Sequence, residues 1–405
     1  MYQYHTLSNG IRVVFRQKDS SVTHAGVYVN VGSRDEQGKE EGLAHFIEHS
    51  IFKGTTHRKS YHILNRIDGV GGELNAFTTK ESTCIYTTSL SIHLERCIEL
   101  MSDIIFNSIF PENEIEKEKD VVLEEINSYE DYPAELIYDD FEALAFEGHP
   151  LAHNILGTKK NVKAFSTPFI RDFFTRNYTP DQMVISVVGN IEFKRLIHLL
   201  DRYFGGYSPR TSSIHRDTPP RFHQFDTTIH KKTHQVHALI GCSAYNCFDE
   251  KKVGFTLINN MLGGPAMNSR LNVAIREKYG FCYTIESQYT PFTDAGLFYI
   301  YAGIEPEAKE KYVELVMKEL ERFKKRPLTT LQLHTAQQQL IAQISIENDL
   351  SLNEMQSIGK AHLIYNKVDT IKEMSDDIES LTPSVIQDIA NELFVDSNIS
   401  FLYYD

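Results

Sequence analysis

Residues Leu43 to Gly54 read Leu-Ala-His-Phe-Ile-Glu-His-Ser-Ile-Phe-Lys-Gly, and within them His45, Glu48 and His49 form the pattern H-x-x-E-H. Residues four apart lie on the same face of a helix, so the two imidazoles can reach one point in space. Two neutral histidine nitrogens suit zinc, and Glu48 would lie beside the metal, where it could take a proton from water. The stretch therefore predicts a helix that carries a zinc site.

An alternative is that the two histidines form a chance pair without function, since the chain has 17 histidines. The neighbouring side chains are apolar and include Ala44, Phe46, Ile47 and Ile51, which indicates a buried helix. Three polar side chains on a buried helix cost free energy unless they find partners. The local context therefore favours the metal site.

The composition is typical of a globular protein. The chain has 405 residues, 41% of them hydrophobic, which is enough for about two to four domains with ordinary cores. No apolar run is as long as a membrane span and the first residues do not resemble a signal peptide, so we expect a cytoplasmic protein. Five cysteines without a C-x-x-C pair are typical of free thiols. The formal net charge of −14 disfavours nucleic acid and membrane as partners and mildly favours cationic ones.

Hydrophobic periodicity predicts alternating strands and helices. Asn9-Gly10 predicts a hairpin with a type I′ turn. Further strands are expected at 22–31, 73–79, 82–89 and 183–188. Helices are expected at 60–68, 92–107, 111–129, 133–146 and 192–204.

The sequence also predicts an internal duplication. Residues 206–224 are rich in Gly, Pro and Ser and predict a linker. A strand at 236–242 and a helix at 253–262 then repeat the order seen at the start of the chain, without the histidines. We therefore expect an α+β protein with a zinc-binding half at 1–205 and a homologous half without a metal site at 225–405.

A catalytic zinc usually has a third protein ligand, and the helix at 111–129 is rich in carboxylates. Most of these would face water. At about 100° per residue, the apolar residues form one stripe and Glu124 lies almost opposite, whereas Glu118 and Glu125 lie together on the flank of the stripe. Glu125 is therefore the predicted third ligand, and Glu118 an assisting carboxylate.

These residues resemble the pitrilysin and mitochondrial processing peptidase family of zinc metallopeptidases with the inverted motif. The resemblance covers 42–55, 72–86 and the helix of glutamates. In that family the third ligand lies 76 residues after the second histidine, a position that Glu125 occupies here. The resemblance implies one Zn²⁺ per chain and two homologous halves, each an antiparallel sheet covered by helices, arranged as a processing-peptidase-like clamshell.

The resemblance also implies roles for four further residues. Arg276 and Tyr283, seven residues apart, match a pair that assists the carbonyl of the scissile bond. Without the family, an arginine and a tyrosine in such a segment are more often surface contacts. Asn75 and Ala76 match an edge strand that pairs with an extended peptide substrate.

The function implied is that of a zinc-dependent endopeptidase. Unfolded peptides, with basic ones favoured, would be hydrolysed in an enclosed chamber, Glu48 would activate water, and Tyr283 with the metal would stabilise the oxyanion. Because the chain is as short as the bacterial branch and holds both the zinc set and the Arg-Tyr pair, we expect a homodimer. The alternative is a non-catalytic peptide-binding or structural subunit, a class that loss of a zinc ligand would mark.

Overall fold

A computed structural model describes residues 1–212 and 214–405, and these form two sheets covered by helices. Each sheet belongs to one compact unit. The first unit comprises Met1–Asn127, His153–Arg216 and Ile346–Val368, and the second comprises Ser128–Ala152, Asp217–Ser345 and Asp369–Asp405. Each unit therefore contains a segment from the part of the sequence that forms most of the other unit.

The strands of the first sheet lie in the order β1-β2-β6-β3-β5-β4 and those of the second in the order β7-β11-β8-β10-β9. In the first sheet they are β1 Tyr2–Thr6, β2 Arg12–Gln17, β3 Val22–Val29, β4 Glu73–Thr78, β5 Thr83–Leu90 and β6 Met183–Gly189. In the second they are β7 Asp226–Ile229, β8 Val236–Ser243, β9 Cys282–Pro291, β10 Gly296–Ile304 and β11 Ile399–Tyr404. Apart from β1, strands at the same point of the two orders correspond, which confirms two homologous halves.

One pair of strands in each sheet is parallel, β2 with β6 and β7 with β11, and the other pairs are antiparallel. The sheets are therefore antiparallel, as expected, except for this one parallel pair in each. Two strands joined by a tight hairpin must pair antiparallel, but this constraint does not apply to strands joined by a long connection. The partners in each parallel pair are joined by long connections that contain helices, which leaves their direction free.

The helices agree with the predicted ones to within a few residues where a prediction was made. In chain order they are α1 Leu43–Ser50, α2 Ser60–Asp68, α3 Leu94–Asn107, α4 Glu112–Glu130, α5 Pro133–Ala145, α6 Lys159–Ala164, α7 Thr167–Asn177, α8 Phe193–Phe204, α9 Lys252–Gly263, α10 Lys309–Lys325, α11 Thr330–Asp349, α12 Ser351–Tyr365, α13 Ile371–Ser380 and α14 Pro383–Leu393. A π-helical turn, Asn272–Glu277, precedes β9. None of the described helices combines the length and the apolar composition needed to cross a bilayer.

The predicted hairpin at the start of the chain is present, but its turn differs from the prediction. β1 and β2 pair antiparallel, and the turn is closed by a hydrogen bond from the Gly10 N–H to the Leu7 carbonyl. Gly10 has a φ of 98°, whereas Asn9 does not have a positive φ, so the turn is not type I′. The Asn9 side chain instead donates to the Phe204 carbonyl at 2.8 Å and accepts from the Ile11 N–H, so Asn9 is held by contacts beyond the two-residue turn.

Successive residues of the first sheet point to opposite faces, and both faces are buried. Val13 and Phe15 belong to the larger core, which also contains buried residues of α1, α3, α7 and α8. Val14 and Tyr28 belong to a smaller cluster with Met355 of α12. In the second unit, α9, α10 and α14 contribute to one cluster and α5 to another. The five cysteines are free thiols, as predicted, and the structure shows that all five are buried.

Candidate metal centre

The helix that carries the motif is held at its N-terminus by a buried carboxylate. Glu36 is 1% exposed and accepts the backbone N–H groups of Gly42 at 2.8 Å and Ala44 at 2.7 Å. These N–H groups have no partner within the helix, and a carboxylate also suits the positive end of its dipole. Gly42 has a φ of 89°, and a Cβ there would lie 2.6 Å from the Leu156 carbonyl oxygen. The position therefore requires glycine, and α1 begins at a fixed point.

His45, His49 and Glu125 lie together. Their ligand atoms are all within 4.8 Å of one another, with His45 Nε2 3.6 Å from Glu125 Oε1 and His49 Nε2 3.3 Å from Glu125 Oε2. Ligands at about 2.0–2.1 Å around a tetrahedral zinc are separated by roughly 3.3 Å. Two imidazoles and one carboxylate are also a donor set that catalytic zinc sites use. The three residues therefore fit zinc in both spacing and chemistry.

A hydrogen bond to Glu118 orients His49. Glu118 is 4% exposed, and its Oε1 lies 3.0 Å from His49 Nδ1, while Lys53 Nζ lies 2.6 Å from its Oε2. Burial raises the pKa of Glu118, but the contacts with His49 and Lys53 outweigh it and leave the pKa below its ordinary value. A charged Glu118 accepts the Nδ1–H, which leaves His49 Nε2 free to face Glu125.

Glu48 lies on the same helix, one residue before the second histidine. Burial raises the pKa of its carboxyl above the ordinary value, although Thr78 and His49 act in the opposite direction. Within the described residues its Oε2 is buried and receives no hydrogen bond. The carboxylate therefore keeps an acceptor atom unused beside the cluster of His45, His49 and Glu125.

The face of α4 explains the difference between its glutamates. Glu118 is buried, Glu125 is half-buried, and Glu124 is exposed, where its Oε2 accepts from Asn127 Nδ2 at 3.4 Å. The buried apolar residues of the helix include Ile115, Val122 and Ile126. The structure thus places Glu118 and Glu125 at the cluster and Glu124 in solvent.

Asn75 and Ala76 lie on β4, the edge strand of the first sheet. Among the described strands β4 pairs only with β5, with Asn75 opposite Tyr86 and Ala76 opposite Ile85. Thr78, which contacts Glu48, ends the same strand. The free edge of β4 and the metal cluster are therefore neighbours in the first unit.

Arg276 and Tyr283 belong to the second unit, where they line one cavity of about 510 Å³. Arg276 lies in the π-helical turn and its Nη1 donates to Asn272 Oδ1 at 3.3 Å. Its Cζ is 5.8 Å from the centroid of the Tyr283 ring, and Tyr283 is 84% exposed. The structure therefore brings these two residues together, with the tyrosine ring open to solvent.

Two residues of the site were not predicted. Glu36 accepts from backbone N–H groups six and eight residues further along the chain. A residue that caps a helix usually lies next to its first turn, so the sequence gives no local sign of this role. Lys53 lies three residues beyond the end of α1, and the sequence gives no sign of its contact with Glu118 on α4. Glu36 therefore fixes the start of α1 and Lys53 contacts Glu118, and neither residue belongs to the cluster of His45, His49 and Glu125.

Two homologous α/β units, with His45 and His49 on an H-x-x-E-H helix of the first and Glu125 of α4 beside them, match the arrangement of the inverted-motif class of zinc peptidases. The sequence profile described as Insulinase (Peptidase family M16) matches residues 12–159, and that described as Peptidase M16 inactive domain matches residues 165–340. The chain belongs to the M16 peptidase family.

Relatives cover nearly the whole chain. The uncharacterized zinc protease YmxG of Bacillus subtilis is 32% identical over 98% of this chain and 96% of its own length. An uncharacterized zinc protease of Mycobacterium leprae is 33% identical over 96% of this chain and 88% of its own. The crystal structure of a protease from Helicobacter pylori has the same fold, with a TM-score of 0.93 at 22% identity, covering 100% of this chain and 99% of its own.

Proposed function

We propose that this chain is a zinc-dependent endopeptidase that cleaves unfolded peptides. The proposal depends on one observation: His45, His49 and Glu125 present their ligand atoms at the separations that zinc requires, with the Glu48 carboxylate beside them. The descriptions of the relatives as zinc proteases agree with it. Cytoplasmic location and a homodimer that encloses the substrate are parts of the same proposal.

Each residue of the site has a separate task. Zinc held by His45, His49 and Glu125 would supply a Lewis acid that polarises the peptide carbonyl and makes water more acidic. Glu48 takes the proton from the attacking water and returns it to the leaving amine. Glu118 keeps His49 in the tautomer that offers Nε2 to the metal.

The substrate would be bound in an extended form. β4 presents unpaired backbone groups at the sheet edge, which an extended peptide can complete as an added strand. Such pairing uses backbone groups that a folded protein has already paired, so it selects unfolded chains. Arg276 and Tyr283 assist the carbonyl of the scissile bond, as the resemblance to the family implies.

The proposal is tested by zinc content together with hydrolysis of a quenched peptide library. Wild-type protein should contain about one zinc per chain, and His45→Ala should lower its zinc affinity. Glu48→Gln should keep the zinc and lose turnover, because the amide cannot take the proton from water. Glu124→Gln removes the same charge on the solvent side of α4 and serves as the matched control.

Two outcomes of these measurements would contradict the proposed function. Turnover that survives unchanged in Glu48→Gln would exclude the proposed proton transfer. Zinc-loaded wild-type protein that binds peptides but cleaves none would place the chain among non-catalytic peptide-binding or structural subunits instead.

A further inference from the structure

A cavity of about 670 Å³ in the second unit is strongly cationic, although the chain as a whole carries a net charge of −14. Its charged lining residues are Arg270, Lys278, Lys318, Arg322, Arg326 and Glu319. Five cations and one carboxylate give this lining a net charge of +4. The local charge is therefore opposite to that of the whole protein.

The cations of this cavity differ from those elsewhere on the same helix. On α10, Lys311 pairs with Glu314 at 2.8 Å, and Lys324 and Lys325 both pair with Glu321. Ordinary solvated helix faces are balanced in this way. The cavity side of α10 is not balanced, since its one carboxylate, that of Glu319, already pairs with Arg322. Throughout the described residues, no carboxylate lies within 4.0 Å of the charged groups of Arg270, Lys278, Lys318 or Arg326.

Arg270 is held in place without an anionic partner. Its guanidinium Cζ lies 4.0 Å from the centroid of the Phe323 ring, and Phe323 is buried. Burial lowers the pKa of Arg270; Glu319 raises it and Arg322 lowers it. Stacking fixes the plane of the guanidinium, and its N–H groups at the edge stay available for a planar acceptor such as a carboxylate.

Three cavities follow one another on the second unit. The cationic cavity shares Asn268, Arg270 and Gln332 with a neighbouring cavity of about 340 Å³. That neighbour in turn shares Asn260 and Ser269 with the cavity lined by Arg276 and Tyr283. A row of adjoining cavities suits an extended polypeptide better than a single small anion, because a strand advances about 3.3 Å per residue.

We propose that the cationic cavity, defined by Arg270, Lys278, Lys318, Arg322 and Arg326, binds an aspartate or glutamate side chain of the peptide substrate. This proposal depends on the proposed peptidase function. The field of an acidic protein repels anions at long range and salt limits it to about 8 Å, so the cavity acts only on a carboxylate brought close by the rest of the peptide. The substrate class is therefore a peptide that carries an acidic residue at one defined position, even where its overall charge is positive.

The test compares two double variants with the same change in net charge. Lys318→Gln with Arg326→Gln removes two cations from the cavity, and Lys311→Gln with Lys325→Gln removes two from other sides of α10. All four side chains are exposed, so both proteins should fold. The zinc-loaded proteins are assayed on quenched peptides in which each position in turn carries Asp or Asn.

In wild type, the specificity constant should favour Asp over Asn by roughly tenfold at one position, the effect of one charge-assisted hydrogen bond. The preference should fall towards one in the cavity variant and remain in the control variant. A ratio near one at every position in wild type would overturn the proposal. So would an equal loss in both variants, which would reflect overall charge.

A binding measurement separates failure of the site from failure of the enzyme. Fluorescence anisotropy of the same labelled Asp and Asn peptides on zinc-loaded Glu48→Gln protein needs no turnover. If wild-type protein cleaves no peptide but the Asp preference in binding depends on Lys318 and Arg326, the proposed peptidase function is wrong and the proposed site for an acidic residue is supported. Tighter binding of inorganic phosphate than of any Asp peptide in a competing titration would overturn the assignment to a peptide.

Discussion

Replacing Glu118 with glutamine is expected to weaken zinc binding by roughly 10- to 100-fold, although Glu118 is not a proposed ligand. Its Oε1 lies 3.0 Å from His49 Nδ1 and its Oε2 lies 2.6 Å from Lys53 Nζ. Glutamine has nearly the same shape and can still accept from the imidazole. The change therefore removes charge while leaving the packing of α4 in place.

The size of the effect follows from these two contacts. A hydrogen bond to a charged group contributes about 1.5–3 kcal/mol and a neutral one about 0.5–1.5 kcal/mol, so the His49 contact loses about 1–1.5 kcal/mol. The Lys53 ammonium, no longer neutralised, then lies near the site and opposes a divalent cation. The sum corresponds to roughly one to two powers of ten in affinity.

The affinity is measured by competition with a chromophoric zinc chelator, with circular dichroism as a check on folding. Glu124→Gln is the control, because that side chain is exposed on the same helix. Lys53→Met combined with Glu118→Gln should recover part of the loss, since the uncompensated cation is gone. Zinc affinity in Glu118→Gln equal to that of wild type would refute the role of Glu118 in orienting His49.

Three further predictions concern stability, helix position and substrate charge. Asp103 is 4% exposed and binds Thr55, His57 and Arg58, contacts that outweigh burial and lower its pKa, so Asp103→Asn should cost about 3 kcal/mol in urea unfolding at pH 7. Because the folded pKa lies below the ordinary value, this contribution is present above about pH 4 and is lost as pH falls through the folded pKa. A difference between the two proteins that does not shrink as the pH falls below about 4 would contradict the assignment. Gly42→Ala should lower zinc affinity by displacing α1, since its φ is 89° and a Cβ would meet the Leu156 carbonyl at 2.6 Å, and unchanged affinity would show that the helix start adapts. If the acidic residues behind the net charge of −14 face the substrate, the specificity constant for basic peptides should fall steeply with added salt and that for neutral peptides of equal length should not, whereas identical salt profiles would place those acids elsewhere.

Local patterns were sufficient for much of the site. The four-residue step from His45 to His49 places both imidazoles on one side of any helix, so their proximity depends on nothing outside α1. The separation of Glu118 and Glu125 from Glu124 likewise follows from the angle per residue and the apolar stripe of α4. In both cases the helix itself carries the information.

Long-range partners were not predictable in this way. A helix with an apolar side requires an apolar surface, but its sequence does not say which one. α12 packs on the first sheet, where Met355 lies against Gly26, and α5 contributes Phe141 to a cluster with Tyr299 of the second sheet. The predicted linker at 206–224 divides the chain into two consecutive parts. It does not predict that the first unit includes α12 from the second part and that the second unit includes α5 from the first part.

This exchange of helices has a consequence for synthesis on the ribosome. β6 completes the first sheet at Gly189, but α12, which covers the face with Val14 and Tyr28, ends only at Tyr365, 176 residues later. At about 5–20 residues per second, that interval is roughly 9 to 35 s. During this interval, α12 does not yet cover the apolar sheet face of the nascent first unit. A chaperone that binds apolar surface is therefore expected to act at this stage of translation.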